Sequence, residues 1–309
     1  MPNPDDLVAR IEALNGRPLE NRPDPKAELE GVRRKLRKSA KAPEPVVMRR
    51  DLPQTTRRAA PPVTRAGKPV RLEEAIAGVE LDAPGGGRAF LVERHAQEVM
   101  AEAEGIAAAL QARLTEESSL RRMLAAATRG GAVPATDLLF LDIETTGLSN
   151  TPLFLIGTME YHEGGLLVRQ YFARDYSEEA PVTALFLQRA AEKQVLVSFN
   201  GISFDLRYIR DRAVAHALRY HLPHPHLDLL GESRRVWGGR LPNCKLQTLE
   251  HRICGRLRED DIPGHLIPEA YHEYVRTGDA RQMLGVLHHN LLDLVTMADL
   301  LARLGGERP

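Results

Sequence analysis

The chain has 309 residues, 43% hydrophobic and 27% charged, the balance of an ordinary soluble globular protein. No apolar run approaches the roughly 20 residues that span a bilayer, and MPNPDDLVAR carries no apolar leader, so the chain is read as cytoplasmic. A net charge of zero conceals a basic arm on an acidic body: residues 1–70 hold 16 Lys and Arg against 9 Asp and Glu, the remainder 26 against 33.

That first segment holds 11 of the 21 prolines and few large apolar residues. Helical periodicity is confined to Asp6–Leu14 and Lys26–Lys41, the second carrying RRKLRK (Arg33–Lys38). Between Pro43 and Pro69 too little apolar surface exists to offset chain entropy, which predicts disorder. The arm, at net +7, suits contact with a polyanion; it suits equally a solvated tail. Residues 71–133 predict a small β element around Gly85–Gly87 and one long helix from Val92 to Ala127, ending near Gly130 and Gly131.

From Pro134 the pattern sharpens. Leu138–Leu141 is an apolar strand, and Leu153–Tyr161 and Leu166–Phe172 flank Gly164-Gly165 as a hairpin. A helix over Glu178–Lys193 precedes a buried strand, Val195–Phe199, and a further helix begins near Phe204. A third apolar segment, His226–Leu230, leads to helices at Lys245–Cys254, Pro268–Arg276 and Asp279–Leu304. The order implies an α/β fold, a mixed sheet with helices packed on it. Cys244 and Cys254 stand in no CxxC or Cys/His cluster, so neither zinc nor a disulfide framework is indicated.

Three motifs carry chemistry. In Leu-Asp142-Ile-Glu144-Thr-Thr-Gly147, residues two apart on a strand project to one side, bringing two carboxylates together. Anions that close repel unless a cation lies between them, and Mg²⁺ or Mn²⁺ prefers such oxygen donors. In Val195-Leu-Val-Ser-Phe-Asn200-Gly201-Ile-Ser-Phe204-Asp205, strand, turn and helix start deliver Asp205 to the carboxyl end of a strand, where sites in such sheets tend to lie. The same Asp205 could be a plain helix cap. In His288-His289-Asn290-Leu-Leu-Asp293, an aspartate sits in a helix whose Leu284, Leu287, Leu291, Leu294, Val295 and Leu301 make an apolar stripe. A buried aspartate is costly unless it is paired or binds metal. His289, four residues before Asp293, shares its face and could take a proton from water.

In order and context these motifs resemble the DEDD 3′→5′ exonuclease superfamily, which has an RNase-H-like fold. Residues from about Leu72 to Leu304 resemble its YprB-type family more closely. Pro152-Leu-Phe-Leu-Ile-Gly157, His226-Leu-Asp228-Leu-Leu, Lys245-Leu-Gln-Thr-Leu-Glu250, Asp261-Ile-Pro-Gly264 and His289-Asn290 support the likeness. The resemblance implies two divalent cations on Asp142, Glu144, Asp205 and Asp293, hydrolysis of DNA or RNA, and an exonuclease domain over residues 134–309. The superfamily divides by its base, a tyrosine four residues before the last aspartate or a histidine five before it. Here His289 and His288 occupy those two positions; His289 is favoured, with His288 the alternative.

Weaker readings attach to other residues. Asn200 could contact a substrate phosphate, or simply form an I′ turn with Gly201. Thr145 could do the same, or bond its own backbone. Lys245 could neutralise a phosphate, or be a solvated lysine at a helix start. Asp228 reads as a group behind the site or, more simply, a cap. Trp237, among Arg234, Arg235 and Arg240, reads as a stacking platform or a packing residue. A non-catalytic nucleic-acid-binding module and an RNase-H-type endonuclease remain the alternatives to an exonuclease.

Overall fold

The computed structural model describes residues 68–128, 131–148, 151–223 and 225–306. The helices expected at Asp6–Leu14 and Lys26–Lys41, and the disorder expected between Pro43 and Pro69 as far as Gly67, lie outside the described residues.

Among the described residues seven strands form one sheet: β1 (Val79–Asp82), β2 (Arg88–His95), β3 (Leu138–Thr145), β4 (Leu153–His162), β5 (Gly165–Phe172), β6 (Val195–Ser198) and β7 (His226–Asp228). Their spatial order is β1-β2-β5-β4-β3-β6-β7, antiparallel from β1 to β3 and parallel across β3, β6 and β7. The sheet is therefore mixed, as the order of elements implied. The inner strand β6 is buried throughout, the signature of a parallel strand covered on both faces. Edge strand β1 is largely exposed and carries Glu80 and Asp82, charges that discourage further strand pairing. At the β4–β5 hairpin Glu163 and Gly164 both take positive φ, 48° and 84°, the geometry of a tight turn.

Two expectations for residues 71–133 are corrected. The β element is not a separate unit, because β2 pairs with β5 and extends the main sheet. The single helix is two, α2 (Ala103–Thr115) and α3 (Ser119–Ala127), after the short α1 (Leu72–Ala75). Val92–His95 continues β2, with Ala89–Val92 buried, and Ser118 interrupts the helical run as the cap of α3, accepting from the Arg121 N–H at 3.0 Å.

One face of the sheet packs on α4 (Glu179–Ala190), α5 (Asp205–Ala215) and α8 (Ile267–Thr277), where Tyr271 stacks on Phe154 at 3.9 Å. The other packs on α2, α3 and α6 (Leu229–Trp237). The 24-residue α9 (Arg281–Leu304) contributes to both cores. It is apolar nearly all round because it is covered on several sides. Leu284 departs from the expected stripe and is 38% exposed. The expected Lys245–Cys254 helix is a four-residue turn, α7 (Leu246–Leu249), that widens into a π turn over Glu250–Cys254. Cys244 and Cys254 are free thiols. No helix among the described residues is long and apolar enough to cross a membrane.

Candidate active site

Asp142 and Glu144 lie on β3 opposite Gly157 and Leu155 of β4, just before a bulge that interrupts pairing at Thr145. Asp205 opens α5 and is 5% exposed. Backbone N–H groups of Asp205 itself and of Ile143 on β3 bond its carboxylate, tying the helix start to the strand. Tyr208, one turn on, donates to the Thr151 carbonyl at 2.8 Å and so holds the loop that leaves β3. Two glycines make these approaches possible. A Cβ on Gly201 would fall 2.1 Å from Ser198 Oγ, and one on Gly157 would fall 2.0 Å from Asn290 Oδ1.

Asp293 faces this strand end from α9. The four acids sense one another strongly. Burial, then repulsion from Asp293, Glu144 and Asp205, holds the Asp142 carboxyl well above its ordinary range, although a bond from Asn290 opposes the shift. Burial likewise pushes Glu144 up to about 8, against the pull of nearby His289, and Asp205 up to about 7. Asp293 is raised too, chiefly by burial, with Arg258 and His289 acting against it. A cluster that resists its own ionisation is short of positive charge.

Part of that charge comes from the protein. Arg258, its side chain 8% exposed, donates to Asp293, to Glu250 Oε2 at 2.5 Å and to Asp261 Oδ2 at 3.2 Å. Buried His289 has Nδ1 2.9 Å from both oxygens of Asp261 and Nε2 3.6 Å from Asp293 Oδ2. Burial disfavours a charged ring there, but the Asp261 bond and the charges of Asp293 and Glu144 outweigh it and raise the pKa. Half-buried His288 stands differently. Burial and the Arg94 and Arg258 cations lower its pKa, although Asp261 pulls the other way.

The four hard oxygen donors suit Mg²⁺ or Mn²⁺ better than a thiophilic metal. Among the described residues no three or more His, Cys, Asp or Glu side chains form a ready-made cage for a metal ion. The four acids therefore do not already converge on one point.

The other expected residues divide. Asn200 adopts φ 65° while Gly201 does not take positive φ, so the pair is not an I′ turn. Its exposed side chain projects from a loop whose Asn200 and Ile202 N–H groups bond Asp228 at 2.8 and 3.2 Å. Asp228 also caps α6 through the Leu230 N–H at 3.0 Å. It thus braces the loop that presents Asp205. Thr145 donates to the Gly147 carbonyl at 2.7 Å, the local backbone role. Lys245 is exposed at the start of α7, and no contact joins it to the acids. Trp237 is 2% exposed and belongs to the core, so it offers no platform for a base. Arg258, Gln170 and Glu250 do not stand out in the sequence for any role. A buried arginine among acids leaves no mark in periodicity, and its three-residue spacing from Asp261 is the one local signal.

A sequence model of RNase_H_2, in the RNase_H superfamily, matches residues 139–305. The uncharacterized protein YprB of Bacillus subtilis (strain 168) is 31% identical over 171 residues, 53% of this chain and 41% of that protein. The chain thus spans about two fifths of that relative's length. A family B DNA polymerase from the hyperthermophilic archaeon Pyrobaculum calidifontis is similar over 56% of this chain and 25% of that one, at 18% identity and a TM-score of 0.45.

Proposed function

We propose, from the premise that this chain belongs to the RNase_H_2 family of the RNase_H superfamily, that it is a metal-dependent 3′→5′ exonuclease. Membership supports the coarser part, a nuclease-type enzyme acting on nucleic acid. The finer part is supported by one observation: Asp142, Glu144, Asp205 and Asp293, from β3, α5 and α9, are each raised in pKa chiefly by burial, and Asp293 adds to the shift of the other three. The 3′→5′ direction rests on the resemblance of the three motifs, not on the chemistry of the residues.

When bound, divalent cations make water acidic enough to attack a phosphodiester and stabilise charge on the leaving oxygen. The chain's own residues do the rest. The four carboxylates would hold the cations. Asn290 keeps one oxygen of Asp142 engaged at 2.8 Å. His289, with Nε2 3.6 Å from Asp293 Oδ2, would take the proton of the attacking water. A cavity of about 620 Å³, lined by Leu148, Phe204 and Arg207 beside Asp205, is large enough for a nucleotide. The basic residues 1–70 would supply phosphate contacts.

The test is digestion of matched single-stranded, duplex and hybrid oligonucleotides, free or blocked at either end, with Mg²⁺ or Mn²⁺. Mononucleotides released only from unblocked 3′ ends are expected. Internal cuts in 3′-blocked substrates would make it an RNase-H-type endonuclease, and metal-dependent binding without products a non-catalytic module.

A further inference from the structure

The segment between the π turn and α8, residues 255–266, brings Asp261 against the middle of α9 although 28 residues separate it from His289. Both Asp261 oxygens lie 2.9 Å from His289 Nδ1. An ionised carboxylate has only lone pairs to offer, so that nitrogen must carry the proton. A neutral ring then has its free lone pair on Nε2, the atom 3.6 Å from Asp293 Oδ2. Asp261 is fitted to be ionised, because bonds from His289 and Arg258 lower its pKa despite burial. It is also held from behind. Arg258 bridges Asp261, Glu250 and Asp293, and Glu250 Oε1 accepts from Thr296 on α9 at 2.8 Å. The bracing therefore returns to the helix that carries His289.

We propose that Asp261 is a positioning residue that fixes His289 as the Nδ1–H tautomer with Nε2 facing the carboxylate pocket, and that Arg258 braces Asp261 in that task. The inference rests on the nuclease reading, within which it gives His289 rather than His288 the role of base. Among the described residues no acid hydrogen-bonds His288, and the charges acting on it are mixed, Arg94 and Arg258 against Asp261. Asp261→Asn is the informative change because it keeps the shape. Arg258 will draw the amide oxygen, leaving the NH₂ toward His289 Nδ1. That arrangement favours the opposite tautomer, with the proton on Nε2 and the base disabled.

The experiment uses the full chain in four forms: wild type, Asp261→Asn, His289→Ala and the double variant. With Mg²⁺, Asp261→Asn should lower kcat roughly 10²-fold, no more than loss of the base itself, while KM and Mn²⁺ affinity hold. In the His289→Ala background Asp261→Asn should cost nothing further, since the residue acts only through the ring. Asp261→Glu should recover part of the rate. Independently of activity, imidazole ¹⁵N shifts should report the Nδ1–H tautomer of His289 in the wild type and the Nε2–H tautomer in Asp261→Asn. Spectra would be taken with Mg²⁺ well above the ordinary histidine range, and the resonance assigned by its absence in His289→Ala. An unchanged kcat, an additive loss in the double variant, or a wild-type Nε2–H tautomer would overturn the proposal. Loss confined to Mn²⁺ affinity would also overturn it, by making Asp261 a ligand. A wild type that degrades no nucleic acid would sink the nuclease reading alone, and the spectra would still decide the tautomer.

Discussion

Asn290 Nδ2 lies 2.8 Å from Asp142 Oδ2, and Asn290 Oδ1 accepts from Gln170 Nε2 at 2.9 Å. Gln170, fully buried on β5, also donates to the Leu287 carbonyl at 2.7 Å, so a chain of polar groups crosses β5, α9 and β3 to reach one acid. Neighbours on α9 thus serve the same pocket, Asn290 through Asp142 and His289 beside Asp293.

That contact needs a glycine at position 157. A methyl group there would lie 2.0 Å from Asn290 Oδ1 and 2.6 Å from its Cγ, inside an immovable sheet–helix interface. Gly157→Ala is expected to cost about 1–3 kcal/mol, the usual penalty of overpacking. It should also lower activity by displacing Asn290 from Asp142. Denaturant unfolding monitored by circular dichroism measures the first, and a wild-type midpoint would show that α9 yields without cost.

Asp142→Ala and Asp293→Ala are each expected to abolish nuclease activity, because on the proposed reading each removes a metal donor the chemistry cannot bypass. Their effects on the metal-free fold should differ. Losing Asp142 relieves a like-charge cluster. Losing Asp293 deprives Arg258, 8% exposed, of one of its acid partners, which is destabilising for a buried charge. Melting in EDTA should place Asp142→Ala above Asp293→Ala; the reverse order, or residual turnover in either, contradicts the assignment.

Much of this was legible in the sequence, and the reasons lie in particular residues. The apolar runs of β3, β4 and β6 and the Gly164 turn announce themselves because burial and turn chemistry are local. The four acids are visible for the same reason, each at a strand end or on a helix face. Residues 92–127 misled because Val92–His95 is strand and Ser118 breaks the helix at a point that alanine and glutamate richness conceals. The Glu250–Arg258–Asp261 bracing was invisible because it is made by tertiary approach of an irregular segment, which has no period to read. In the sequence Asp261 stands out only as part of a resemblance, without a role.

The basic arm makes a separate prediction. Deleting residues 1–70 removes a net +7 and should weaken nucleic-acid binding while leaving saturated turnover intact. Every phosphate that the arm no longer neutralises should reduce the slope of log K against log salt by about 0.9 on duplex DNA. Titration at several salt concentrations reads the slope directly. An unchanged slope would make the arm a solubilising tail.

The two histidines should separate sharply. His289→Ala is expected to cut turnover roughly 10²–10⁴-fold, the worth of a general base, with metal binding retained. His288→Ala should cost far less, since among the described residues no acid bonds its ring as Asp261 bonds that of His289. A crippled His288→Ala beside a near-normal His289→Ala would return the base to the five-residue spacing.

The last prediction joins metal binding to pH, and its sign follows from the acids. Folding raises Glu144 from 4.5 to about 8 and Asp205 from 3.8 to about 7, burial being the first cause in each. Between the unfolded and folded pKa values the folded chain holds more protons than the unfolded one, so stability falls as pH rises through that window. In the metal-free protein the contribution of these acids is complete below about pH 4 and lost above about pH 8. Glu160 works in the opposite sense. Its side chain is 2% exposed, and bonds from Lys193, Arg189 and Arg169 lower its pKa against the cost of burial. It stabilises above its unfolded value and ceases to as pH falls, with or without metal. Comparing EDTA-treated with Mn²⁺-loaded protein at each pH cancels that background. Divalent cations neutralise the cluster only when it is ionised, so the rise in Tm on adding Mn²⁺ should be small near about pH 5 and large near about pH 8.5. Calorimetry at both values reads the difference. A metal-induced shift that is flat with pH, or greater on the acid side, would mean that Glu144 and Asp205 do not hold the ion.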